Sequence, residues 1–106
     1  MPEPRTIFLV DDEDSIRRSV GFMLKTAGYT VRAFPSGVAF LKDIRPEDSG
    51  CVLLDVRMPD MDGIEVQATL ASKGIGLPVI IFTGHGDISI AVRAMKAGAV
   101  DFIEKP

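Results

Sequence analysis

Residues 7–14 read IFLVDDED, four apolar side chains followed at once by four acids. The length of the apolar run and its β-branched ends, Ile7 and Val10, read as a strand. No polar residue alternates within it, so both faces of that strand must be covered, as in a parallel sheet with helices on each side. The same shape recurs twice. Residues 51–55 read CVLLD and residues 79–84 read VIIFTG, each an apolar quartet that ends on a carboxyl or a hydroxyl.

Working outward, two weaker segments, Tyr29 to Ala33 and Val100 to Ile103, mix polar and apolar residues and read as edge strands. Helical spacing fills the gaps. Ile16, Val20, Met23, Leu24 and Ala27 form one stripe that Gly28 stops, and Asp14 reads as its N-cap rather than as a ligand. Ser36 caps a short helix carrying Val38, Phe40 and Leu41, with Pro46 beyond its end. A third helix runs from near Asp62 and Gly63 to about Lys73, before Gly74 and Gly76. Asp87 caps a fourth, which Gly98 ends. On it Ile88, Ala91, Val92 and Met95 form one face; Ile90, Ala94 and Ala97 fall opposite and read as the surplus, partner-seeking side.

Alternating strands and helices with short connections give an α/β fold, a parallel sheet and right-handed crossovers. Three doubly buried strands and two mixed ones fit a doubly wound, flavodoxin-like sheet of order 2-1-3-4-5. The chain stops at Pro106, directly after the fifth strand. A fifth helix is then needed on that side, so residues 1–106 read as one domain cut short.

Composition narrows the function. Apolar residues counted with glycine make about 55% of the chain, above the ~45–50% of an average globular protein. That excess excludes a disordered tail. Net charge is −3 with no basic cluster, which argues against direct nucleic-acid binding. The apolar quartets are far short of a membrane span, and no secretory leader is legible. Cys51 is the single cysteine, so no internal disulfide and no multi-cysteine metal site can form, and a reducing, cytoplasmic setting is expected. Cys51 opens a buried strand and reads as inert, and the five methionines read as core and turn packing.

In an open parallel sheet the functional crevice lies beyond the carboxyl ends of the strands. Asp11, Asp12, Glu13 and Asp14 follow the first strand, Asp55 the third, Thr83 and Gly84 the fourth, and Lys105 the fifth. Carboxylates, a hydroxyl and an ammonium thus converge on one patch. Clustered carboxylates repel unless a hard cation sits among them, and an all-oxygen set suits Mg²⁺. The hydroxyl and ammonium suit the oxygens of a transferred phosphoryl group. His85 reads as a solvated loop residue.

These residues carry a resemblance. Asp11-Asp12, Asp55 with the loop from Val56 to Gly63, Thr83-Gly84, Ala97-Gly98-Ala99 and Lys105-Pro106 together resemble the receiver domain of bacterial two-component response regulators, over essentially the whole chain. The stretch from Thr83 to Asp87 and the run from Ala94 to Pro106 are most similar to the FixJ-like and NtrC-like branches. The resemblance implies a CheY-like fold and a phosphoacceptor domain rather than a conventional enzyme. It makes Asp55 the phosphoacceptor, taking a phosphoryl group from a sensor histidine kinase. It implies Mg²⁺ held by Asp12 and Asp55, with Asp11 acting through water and the backbone carbonyl of Arg57 adding an oxygen. Lys105 and Thr83 would contact the phosphoryl group, and Thr83 with Phe102 would form the switch. A C-terminal output domain, expected to bind DNA and absent here, and a phosphorylation-dependent homodimer through the fourth helix and fifth strand are also implied. The rival class is an aspartate-nucleophile phosphohydrolase of the haloacid dehalogenase type. It wants a second Asp two positions after the nucleophile, where this chain has Arg57.

Overall fold

The computed structural model describes residues 5–84 and 88–105. Its elements run β1 (Thr6–Val10), α1 (Asp14–Thr26), β2 (Thr30–Phe34), α2 (Gly37–Asp43), β3 (Cys51–Asp55), α3 (Gly63–Ser72), β4 (Val79–Thr83), α4 (Ile88–Lys96) and β5 (Asp101–Glu104). The strands pair in parallel in the order β2-β1-β3-β4-β5, as expected. The expected positions of His85, Pro106 and the Asp87 cap lie outside the described residues.

One register row crosses the whole sheet: Phe34, Val10, Leu54, Ile81 and Phe102. It levels the strands, so the residues just past it emerge along one rim. Successive side chains point to opposite faces, and the core divides accordingly. Phe8, Val10, Val52, Leu54 and Ile81 pack with Phe40, Val66 and Leu70 from α2 and α3 into the larger cluster. Leu9, Val20 and Phe82 form a smaller cluster on the α1 face, joined by Ile16, Leu24, Val31 and Leu53. The four residues of β5 are all exposed, leaving Phe102 at 39% and Ile103 at 48% exposure.

Local signals place most of the helix starts. The Ser36 hydroxyl accepts from Ala39 N–H at 3.0 Å. Asp62 and Glu65 form a reciprocal capping box on α3. Gly28 ends α1 at φ +99°, a conformation that a Cβ disfavours. The start of α1 departs from expectation. Asp14 is the first helical residue and Glu13 the N-cap, because Asp11 Oδ1 accepts from Glu13 N–H at 2.9 Å and holds Glu13 extended. Asp14 instead pairs with Arg17 one turn on.

The faces of α4 depart in part from the sequence reading: Ala91 turns to the core with its stripe, but Ile90 and Ala94, expected on the partner-seeking side, do so as well. Ala91 and Ala94 are buried and Ile90 packs on the larger core, while Ile88, Val92 and Met95 are 64%, 44% and 37% exposed. Two alanines let the helix backbone approach closely, and Gln67 Nε2 donates to Ala94 carbonyl at 3.2 Å within that contact. Ile90 and two alanines, not Ile88, Val92 and Met95, face the core. Ala97, expected beside them, is exposed. Of the methionines, Met58 is buried and Met61 packs on the core, but Met23 and Met95 stand on the surface. Cys51 is half-buried, and burial pushes its thiol pKa up, as an inert thiol requires. Among the described residues, no helix is long and apolar enough to cross a membrane.

Candidate functional site

The common register delivers Asp11, one step past Val10, beside Asp55, one step past Leu54. Both are buried, Asp55 to 3% exposure, whereas Asp12 is exposed at the mouth. Carboxylate oxygens of Asp11, Asp12 and Asp55 all lie within 4.8 Å of one another. Asp11 is fixed by its neighbours: its N–H donates to Phe34 carbonyl at 3.1 Å, and its carbonyl accepts from Arg17 Nη1 at 2.7 Å. Asp55 Oδ1 accepts from Arg57 N–H at 3.3 Å. The loop beyond closes through Gly63 N–H on Val56 carbonyl at 2.8 Å. A Cβ at Gly63 would stand 2.8 Å from Asp55 carbonyl oxygen, so only glycine fits there without displacing the loop.

Lys105 reaches this pair from the far edge of the sheet. Its N–H donates to Thr83 carbonyl at 2.8 Å, which anchors the end of β5 against β4. Its ammonium lies 2.9 Å from Asp11 Oδ2, 3.2 Å from Glu13 Oε1 and 3.3 Å from Asp55 Oδ2. Thr83 is buried between them, its hydroxyl donating to Gly84 carbonyl at 3.2 Å. Phe102 sits two register rows back, on the same sheet face as Thr83.

Burial first, and then the Asp11 charge, push the Asp55 pKa up to about 7, against the opposing pull of Lys105 and the Arg57 N–H. Burial alone would lower Lys105, but Asp11 and Asp55 outweigh it and hold the ammonium above its ordinary value. The site therefore keeps more negative groups than one lysine neutralises. Asp11 Oδ2 faces that lysine as an ion pair without hydrogen-bond geometry and is otherwise an orphaned buried acceptor. Such a buried acceptor, beside two further carboxylates and open at Asp12, fits an oxygen-seeking cation.

Asp11, Asp12, Asp55, Thr83 and Lys105 are thus brought to one rim, while Phe102 lies on β5 away from the carboxylates. Glu13 had no role in the sequence reading beyond its membership of the acidic run, yet its carboxylate reaches Lys105. Its place one step before a helix was the available signal.

Comparison with known proteins agrees with this arrangement. Transcriptional regulatory protein FixJ of Azorhizobium caulinodans is 45% identical over 106 residues, covering 100% of this chain and 50% of that protein. FixJ of Rhizobium meliloti is 48% identical over 101 residues, covering 95% of this chain and 50% of its own length. The chain therefore spans about half the length of these curated relatives. Among solved structures, full-length FixJ from B. japonicum superposes with a TM-score of 0.91 at 44% identity, covering 99% of this chain and 52% of that one. The FixJ-N crystal structure gives 0.87 at 47% identity, covering 99% and 84%. Residues 7–106 match the response regulator receiver domain, and with the same sheet order and an acidic rim in place, the chain belongs to that family.

Proposed function

We propose that the chain works in a two-component phosphorelay, accepting a phosphoryl group on Asp55 from a phosphohistidine of a sensor histidine kinase. A carboxylate oxygen of Asp55 forms the O–P bond as the P–N bond breaks, and the imidazole nitrogen keeps the electron pair. The observation that carries this reading is Asp55 itself, buried at a strand end within 3.3 Å of Lys105 and beside two further acids.

Asp12 and Asp55 would hold Mg²⁺ directly, with Asp11 acting through water and the Arg57 carbonyl adding an oxygen. Bound there, the ion would offset the charge of the carboxylates and of the incoming phosphoryl oxygens. Lys105 neutralises a phosphoryl oxygen, and the Thr83 hydroxyl turns from Gly84 carbonyl to donate to another. Phe102 on β5 fills the space that Thr83 leaves. The altered surface of α4 and β5 then controls an output domain, which in a transcriptional regulator binds DNA, and pairs two receivers. The domain is regulatory and cytoplasmic, and in the longer protein a fifth helix follows β5.

The test is intact mass after incubation with acetyl phosphate and Mg²⁺. One phosphoryl group is expected, none on Asp55→Asn, and none on Asp12→Ala although that variant folds normally. Full labelling of Asp55→Asn would overturn the assignment.

A further inference from the structure

We propose that Glu13 is a positioning residue, holding the Lys105 ammonium over Asp55 from the mouth of the site; this rests on the reading of Asp55 as phosphoacceptor. Aspartate at a helix N-cap ordinarily accepts from a backbone N–H of the first turn. Glu13 makes no such bond. Its carboxylate turns away from α1 and meets Lys105 at 3.2 Å across the full width between β1 and β5. Meanwhile its backbone N–H donates to Asp11 Oδ1 at 2.9 Å. One residue therefore orients both a buried carboxylate and the ammonium that faces it.

An ammonium has three N–H donors. Asp11, Glu13 and Asp55 surround this one as ion-paired carboxylates at 2.9, 3.2 and 3.3 Å, and of the three the Glu13 contact has hydrogen-bond geometry. When Asp55 is phosphorylated, the ammonium can turn an N–H to a phosphoryl oxygen. The Asp11 ion pair and the Glu13 hydrogen bond then hold the ammonium in place. Asp11 and Asp55 each have a second task at the acidic cluster, and Glu13 has none there. Lysine is a compact charge on a flexible four-carbon stem, and this one extends from a strand exposed along its length. A fixed anion at the mouth restricts where that stem can place the charge.

The test compares Glu13→Ala with Glu13→Gln, whose amide oxygen still accepts from Nζ. Neither removes a helix cap, so both should melt close to the parent. The rate of phosphorylation by acetyl phosphate with Mg²⁺ should fall about threefold to fivefold in the alanine variant, the scale of one exposed ion pair. The glutamine variant should recover most of that loss. A second reading needs no phosphodonor: the rate at which Lys105 reacts with an amine-acylating reagent, followed by peptide mass, should rise in Glu13→Ala and return in Glu13→Gln. Unchanged Lys105 reactivity and rate in the alanine variant would overturn the proposal, leaving only a surface ion pair. A glutamine variant as slow as alanine would overturn it too, by showing that charge rather than position matters. Should the parent take up no phosphoryl group, the Asp55 reading fails, and Lys105 acylation still decides the role of Glu13.

Discussion

Asp55 ionises near pH 7 in the folded chain against an ordinary value of 3.8, because it is buried beside Asp11. Between those values the folded state holds a proton that the unfolded state has released. Stability contributed by the neutral carboxyl is therefore complete below about pH 4 and is lost as pH rises through 7. Asp55→Asn removes the charge and keeps the shape. Without metal, it should raise the melting temperature at pH 7.5 by several degrees, since ~1 kcal/mol moves a domain of this size by roughly 4–8 °C. That gain should shrink toward zero near pH 4. Thermal melts of both proteins across this range provide the check, and a gain independent of pH would contradict the burial argument. The raised pKa was not legible in the sequence, where Asp55 is one acid among 15 Asp and Glu. It arises first from burial at the strand end and then from register, which sets Asp11 beside Asp55 across two strands. Gly63 shows the same limit: the sequence marks a helix start there, but only the 2.8 Å approach to Asp55 carbonyl explains why the residue is glycine.

At the scale of elements, the strands were readable because each buried one is an unbroken apolar quartet, and a quartet carries no ambiguity of face. The helix α4 was harder. Its apolar residues surround most of the cylinder, so periodicity offers two candidate faces, and setting Ile90 and Ala94 on the partner-seeking side was wrong for both. Packing density turned Ala94 inward beside Ala91, and both allow close approach to the sheet. Opposite consequences follow for two substitutions on the same helix. Ile90→Glu places a charge against the larger core and should destabilise the domain by about 2–4 kcal/mol. Val92→Glu changes an exposed position, so its melting temperature should stay within a few degrees of the parent. If the exposed row of Ile88, Val92 and Met95 joins two phosphorylated chains, Val92→Glu abolishes the phosphorylation-dependent dimer while leaving Asp55 labelling intact. Sedimentation with and without acetyl phosphate, beside thermal melts, separates the two effects. A dimer that survives Val92→Glu would exclude this row from the interface.

For the molecule as a whole, strand order and the converging rim were legible because both depend on sequence order and on where each apolar run ends. The unequal division of the core was not, since it depends on which pleat face each strand turns to each helix layer. The α2–α4 face gathers the larger cluster, and the α1 face buries only Leu9, Val20 and Phe82. β5 is exposed along its length, and on the face of that smaller cluster its Ile103, in register with Phe82, is left uncovered. Burying such side chains is worth ~1.5–3 kcal/mol each when complete. The proposed fifth helix would enclose β5 and the adjoining face of β4, and so extend the smaller cluster. A chain lengthened by one amphipathic helix of the natural sequence after Pro106 should therefore melt roughly 10 °C higher, on the ~4–8 °C per kcal/mol expected of a small domain. It should also bind less of a hydrophobic dye than residues 1–106. Equal melting temperature and equal dye binding would mean that the extension does not pack on β5. The apolar residues of that strand would then be free to meet a partner chain instead.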